Sequence, residues 1–364
     1  MISKIDLTDH TILILPFTPS LMKEASPYYS LILDILPKSA RKSFTVFFST
    51  PRNASTLEKI STLTATRQEE QFYSTLYRSP QSTFSTLQTF LGGMYSALWT
   101  AQWKCGRVLL DVEVHFEGEG GNYAEKLLRG TSDQEEYQVI KIDGVKETDL
   151  VTNINKIIPV PFKQLSIPSP ALSQPSVGSY EPSPALPGFP VVALGGTFDR
   201  LHAAHKLLLH LGYFLSARKL IVGIMADDLL GSKIHADLVQ PLEVRLAGVV
   251  SYLQRLGEQG RIELNVLEIH DSLGPTRTSV DIGALVVSRE TLSGGEYINN
   301  VRRESGLGEL ELFVVDVIAG MDEIDLKSET DEEKLKKLKM GSTGVRKWIE
   351  KNGSGQQNEK KPET

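Results

Sequence analysis

The chain has 364 residues, 40% of them hydrophobic, which is enough for two ordinary cores and excludes disorder throughout. A formal charge of −6 excludes a general nucleic-acid or anionic-membrane surface, because those partners need clustered positive charge. One cysteine, Cys105, excludes an intramolecular disulfide and reads as an inert buried thiol in a reducing compartment.

The first ten residues carry Asp6 and Asp9 where a secretory or mitochondrial leader avoids acids, so a cytoplasmic protein is expected. Residues 1–161 read as a separate α+β domain. Strands are predicted at Thr11 to Phe17 and Phe44 to Thr50, and helices near Leu57 to Tyr77 and Leu87 to Trp103. The uncharged stretch from Ser79 to Trp103 is long enough to cross a bilayer, but its Ser, Thr and Gln and the Gly92-Gly93 pair favour a buried soluble helix pair. From Arg107 to Glu117, Val108, Leu110, Val112, Val114 and Phe116 alternate with Asp111, Glu113, His115 and Glu117. That pattern predicts a half-buried strand with His115 facing solvent. No phosphate loop, metal spacing or nucleophile constellation is readable in this half.

Residues 162–188 are rich in Ser and Pro and read as a semi-extended linker. From 189 to 352 the pattern alternates. Strands are predicted at Val191 to Leu194, Leu220 to Met225, Ile262 to Ile269, Ala284 to Val287 and Leu312 to Ile318, with helices at Ala203 to Ala217, Pro241 to Leu256 and Gly295 to Glu304. This order implies a Rossmann-like α/β domain with a parallel sheet covered on both faces, whose ligands bind beyond the carboxyl ends of the strands. Pro241 suits the first helical position. The block from Asp322 to Lys339, with seven acids and five bases, reads as a solvated helix with a flexible lead-in. Ser342 and Thr343 are good N-caps for a final helix carrying Val345, Trp348 and Ile349, and 353–364 reads as a disordered tail.

The most informative stretch is Gly195-Gly196-Thr197-Phe198-Asp199-Arg200-Leu201-His202-Ala203-Ala204-His205, between the first apolar run of this half and its first helix. A helix start presents unpaired N–H groups and partial positive charge, which favours an anion. Gly195 and Gly196 allow close approach, Thr197 adds a hydroxyl, and the spacing of His202 and His205 sets both rings on one face of the first turn, where they can share a polyphosphate. Taken singly, a Gly-Gly pair is usually only a turn, and two such histidines could be a metal pair or satisfied surface residues.

Joined, these residues resemble the nucleotidylyltransferase superfamily and, within it, the eukaryotic type of phosphopantetheine adenylyltransferase. Lys339-Met340-Gly341-Ser342-Thr343-Gly344-Val345-Arg346 is similar to that family's downstream Lys-Met-Ser-Ser-Thr-x-x-Arg element. Further likeness lies in Asp227 to Leu230, Leu238 to Pro241 with Arg245, Val286 to Thr291, and Gly294 to Arg302. The resemblance implies adenylyl transfer from ATP to 4'-phosphopantetheine, with magnesium bridging the ATP phosphates and no metal ligands from the protein. It assigns His205, Thr197 and Lys233 to catalysis. Gly195, Gly196, His202, Ser342, Thr343 and Arg346 fall to ATP, and Thr197, Lys233, Asn299 and Arg302 to the acceptor. Read as residues alone, Lys233 could be an ordinary surface lysine, and Asn299 and Arg302 part of an exposed amphipathic helix. Ala204 and Gly341 depart from the superfamily pattern, which has Gly and Ser there. No Gly-x-x-x-x-Gly-Lys-Ser/Thr loop occurs, so the chain is expected to carry one step, like the separate fungal form, and the resemblance allows association with other coenzyme A biosynthetic enzymes. The competing expectations are a nucleotidylyltransferase for nicotinate mononucleotide or a phospho-alcohol, and a non-catalytic nucleotide-binding scaffold.

Overall fold

Near-continuous apolar runs such as Ile12-Leu13-Ile14-Leu15 and Val191-Val192-Ala193-Leu194 cannot leave one face wet, so their strands lie between layers of helix. The computed structural model describes residues 5–49, 73, 76–128, 134–142, 145, 149–165, 187–231, 234–316 and 341–353. In chain order they form β1 (Thr8–Pro16), α1 (Pro19–Lys23), α2 (Ser26–Ser39), β2 (Ala40–Ser49), α3 (Pro80–Lys104), β3 (Asp111–Phe116), α4 (Tyr123–Leu127), β4 (Tyr137–Ile142), α5 (Asp149–Ile157) and β5 (Lys163–Leu165). The second half contributes β6 (Phe189–Gly196), α6 (Ala203–Leu215), β7 (Ser216–Met225), α7 (Leu242–Leu256), β8 (Glu263–Ile269), β9 (Ala284–Ser288), α8 (Leu292–Glu304), β10 (Glu311–Val315) and α9 (Ser342–Asn352).

Each half builds its own five-stranded sheet, ordered β3-β2-β1-β4-β5 and β10-β9-β6-β7-β8. All neighbouring strands run parallel. The second sheet is the α/β arrangement predicted for 189–352. The first corrects the α+β expectation, because its strands pair only in parallel and both faces are covered. One buried apolar cluster runs from β1 through both sheets to Val345 and Ile349 of α9, and a smaller one packs α8 against β9 and β10. The expected linker and tail lie mainly outside the described residues, as do the charged block and most of the Leu57 to Tyr77 helix; β5 falls just inside the predicted linker.

Three further expectations change. The stretch from Ser79 onward is one helix, α3, not a pair. It runs through Gly93, where a Cβ would stand 1.9 Å from the Tyr29 hydroxyl, so the glycine there makes room for a ring. Among the described residues no helix is long and apolar enough to cross a membrane. His115 is not solvent-facing: its side chain is fully buried, with Nε2 2.9 Å from Glu113 and Nδ1 3.2 Å from Glu119. The polar face of β3 meets the second half of the chain instead of water. Cys105 is half-buried, its thiol donating to the Gln102 carbonyl.

Candidate active site

β6 ends in Gly195 and Gly196, at the carboxyl edge of the second sheet, where Gly195 is exposed. Gly195 faces Gly223 of β7, so two adjacent strands lack a Cβ at the same level. The turn that follows is tightly specified. Phe198 and Arg200 both have φ of 52°, a left-handed conformation that costs about 1–3 kcal/mol per residue and persists only where the surroundings hold it. Here the Phe198 ring is buried, the Arg200 N–H donates to Gln240 Oε1 at 2.7 Å, and its guanidinium donates to the Leu238 carbonyl at 3.1 Å. Arg245, also buried, donates to the carbonyls of Thr197 (2.8 Å), Met225 (2.9 Å) and Gln240 (2.9 Å) and pairs with Asp227. The ends of β6 and β7 are thereby tied to the start of α7.

His202 is the N-cap of α6, and His205 lies in its first turn. Their rings stack at 3.9 Å between centroids, with an interplanar angle of 23°, so both edges point to the same side of the helix start. Phe198 backs His205 at 5.2 Å, and Trp99 of α3 meets His202 edge-on at 5.8 Å. The two imidazoles form one stacked pair beside a helix N-terminus, an arrangement whose chemistry suits an anion.

The last helix closes the group. Ser342 Oγ donates to the Asp199 carbonyl at 2.9 Å and lies 3.3 Å from His202 Nε2. Asp199, fully buried, accepts from Arg346 Nη1 at 2.5 Å and from the Gln240 N–H at 3.0 Å. Arg346 also donates to the Ile234 carbonyl (3.1 Å) and to Thr343 Oγ1 (3.3 Å). The turn and α9, nearly 150 residues apart in sequence, are joined by this buried pair. The helix N-cap is Gly341, not Ser342 or Thr343, and the Ser342 hydroxyl is spent on the turn instead of on a cap.

The structure thus gathers Gly195, Gly196, Thr197, His202, His205, Ser342 and Thr343 at one edge of the sheet. Arg346 joins them with its guanidinium engaged by Asp199. Lys233 lies outside the described residues. Asn299 and Arg302 do not join the group, and neither lies on an exposed face. The Asn299 amide exchanges two hydrogen bonds with the backbone of Leu310, and Arg302 donates to the carbonyls of Thr276, Ser279 and Gly308. Both sit in the second half of α8, toward the start of β10, where they pin backbone rather than face the Gly196 edge. Sequence reasoning missed the role of Asp199. It stands within the motif, but nothing local announces that its partner lies at Arg346. Among the described residues no group of three or more His, Cys, Asp or Glu side chains could hold a metal ion. The assembled donors are imidazoles, hydroxyls and backbone N–H groups, a set that suits polyphosphate oxygens.

Residues 193–337 match the family described as cytidylyltransferase-like. Over 166 residues, 46% of this chain and 50% of the relative, the chain is 38% identical to the phosphopantetheine adenylyltransferase of Saccharomyces cerevisiae. It is 33% identical over 130 residues to the phosphopantetheine adenylyltransferase of Pyrococcus horikoshii, 36% of this chain and 80% of that one. The chain spans about half the length of the fungal relatives it matches. A crystal structure from Archaeoglobus fulgidus, described as a protein with unknown function, is 33% identical over 34% of this chain and 97% of its own, with a TM-score of 0.31.

Proposed function

Because the chain belongs to the phosphopantetheine adenylyltransferase family of cytidylyltransferase-like proteins, we propose that it transfers the adenylyl group of ATP to 4'-phosphopantetheine, giving dephospho-coenzyme A and pyrophosphate. The observation that carries this reading is the convergence of the Gly195-Gly196-Thr197 turn, the stacked His202 and His205 and the start of α9 on one strand edge.

The acceptor phosphate is already ionised at neutral pH, so its oxygen can attack the α-phosphorus in line without a protein base. Pyrophosphate leaves carrying the electron pair of the broken P–O bond. The work left to the protein is positioning and charge stabilisation. The glycine edge lets the triphosphate approach backbone N–H groups. Thr197 holds the acceptor phosphate against the α-phosphate. His205 donates where charge grows on the α- and β-phosphates, and His202, Ser342 and Thr343 take the rest of the chain of phosphates. With its guanidinium committed to Asp199 and Ile234, Arg346 contributes by fixing α9 against the turn. Lys233 is assigned to the acceptor phosphate on its place in the motif alone. A divalent cation, magnesium in this reading, would be held by the nucleotide rather than by protein side chains and would supply charge neutralisation of its phosphates.

Incubating the protein with ATP and either 4'-phosphopantetheine or nicotinate mononucleotide, and measuring pyrophosphate, tests this reading. Turnover with the pantetheine acceptor is expected; equal or faster turnover with nicotinate mononucleotide refutes the acceptor, and ATP binding without turnover refutes catalysis.

A further inference from the structure

The nucleotide-binding sheet has a counterpart in the other half of the chain. With strands numbered separately in each half, both sheets run third-second-first-fourth-fifth. That order is common in doubly wound folds and by itself says little. Three finer features are shared as well. In both halves the first strand slips by one residue against the second at its start, Thr8 and His10 facing Ala40 and Ser43, Phe189 and Val191 facing Ser216 and Lys219. In both, the helix preceding the second strand runs into it without a linker, Ser39 to Ala40 and Leu215 to Ser216. A six-residue connection, 105–110 and 257–262, then leads from the next helix into the third strand.

Aligning the two slips shows what differs. The facing pair Gly195–Gly223 of the second sheet becomes Ile14–Phe47 in the first, and Leu15 stands where Gly196 does. All three substitutes are fully buried. Phe17 packs beside them among Phe48, Phe90 and Phe116, and the first turn of α2 offers Pro27, Tyr28 and Tyr29 where α6 has Ala203, Ala204 and His205. The approach that a phosphate needs is filled with side chains.

The closed half instead turns a polar face toward α6 and holds that helix along its length. Trp99 meets His202 at the start. Lys206, buried and directly after His205, pairs with Asp111, donates to the Val112 carbonyl at 3.0 Å and lies 3.3 Å from Glu113. One turn on, His210 Nε2 lies 3.2 Å from both Glu119 and the Tyr73 hydroxyl. Arg255 of α7 meets the same Glu113 at 2.7 Å, and burial notwithstanding, that carboxylate raises the affinity of its guanidinium for its proton. Any rotation of the first turn of α6 carries the His205 imidazole with it.

We infer that the N-terminal half is a degenerate, closed duplicate of the nucleotide-binding half, and that it serves to set the helix bearing His205. Lys206, Asp111 and Glu113 are positioning residues for the transfer. This rests on the function proposed above, so its test includes a reading that does not need turnover.

In the full chain, Lys206→Met is expected to lower kcat about tenfold to a hundredfold, the scale for a catalytic group displaced by roughly an ångström, with the KM for ATP within about threefold. Lys206→Arg restores most of the rate, and Lys206→Met combined with Glu113→Gln is no slower than the slower single variant. Wild-type kcat in folded Lys206→Met, or multiplied losses in the double variant, overturns the inference. Should Lys206→Met fail to fold, Asp111→Asn decides, since its side chain is 41% exposed. An unchanged kcat there overturns the inference, and a reduced kcat at unchanged KM supports it. Amide exchange of residues 203–206 gives the reading without turnover: faster exchange in Asp111→Asn supports the inference and unchanged exchange overturns it. If the wild type is inactive while Asp111→Asn still exchanges faster than it, the result counts against the proposed activity alone.

Discussion

Replacing Asp199 by alanine tests whether the site is assembled by one buried ion pair. The carboxylate is fully buried, accepts from Arg346 at 2.5 Å and from the Gln240 N–H at 3.0 Å, and its removal leaves a buried guanidinium with only the Ile234 carbonyl and the Thr343 hydroxyl. Breaking a buried pair from one side costs about 3–5 kcal/mol, most of it the penalty of the stranded charge. Removing both ends costs less than the two single losses together, so Asp199→Ala with Arg346→Met should show a coupling of roughly 2 kcal/mol. Denaturant unfolding of the four proteins gives the cycle, and amide exchange of 342–352 shows whether α9 is what comes loose. Additive losses, or a cost below about 1 kcal/mol for Asp199→Ala, would mean that the pair is incidental to the assembly.

His205→Ala should retain the fold and lower kcat by roughly two to three powers of ten, the scale for one positioned transition-state donor; near-normal turnover would sink the role given to this ring. Gly195→Ala separates ligand approach from packing, because a Cβ there meets nothing nearer than the Gly223 carbonyl at 3.5 Å. Its melting temperature should stay close to wild type while the KM for ATP rises about tenfold or more, the loss expected when backbone donors are held off a phosphate. An unchanged KM would place the triphosphate elsewhere.

How much could be read before folding depended on whether the physics was local. A glycine turn followed by His202 and His205 is a local device, and its place after an apolar run was enough to set it at a strand edge. The pairing of Asp199 with Arg346 is not local: each side chain is an ordinary surface type until the sheet brings them together. The alternation in β3 failed for a related reason. It reports that two faces differ in polarity, not that the polar one meets water: here Glu113 is met by Lys206 of α6 and Arg255 of α7, and His115 lies buried between Glu113 and Glu119. Asn299 and Arg302 matched a motif, but a buried amide and a buried guanidinium serve backbone carbonyls as readily as a ligand, and only the fold distinguishes the two. The two-sheet duplication was illegible because the shared features are strand order and a register slip, while the residues that would have advertised kinship had become Ile14, Leu15 and Phe47.

The seam between the sheets also fixes how the protein should respond to acid. Burial by itself would raise the pKa of Glu119, but Lys126 at 2.7 Å, with His115 and His210 each at 3.2 Å, outweighs it and holds the carboxyl below its ordinary range. The folded state thus binds this proton less readily than the unfolded chain, in which the group titrates near 4.5. Its contribution is complete above that value and is lost as pH falls toward the folded-state pKa. One such group steepens the loss of stability by up to about 1.4 kcal/mol per pH unit below pH 4.5. Glu119→Gln should accordingly be less stable at pH 7 and show a flatter acid limb in denaturant unfolding between pH 5 and 3 (roughly the window set by that titration). Buried pairs add little net stability, but breaking one strands a charge, so this acid sensitivity follows from a seam in which Glu119 meets Lys126, His115 and, from α6, His210 together. An acid limb equally steep in the variant would show that Glu119 is not charged there, and the charge complementarity across the seam would go with it.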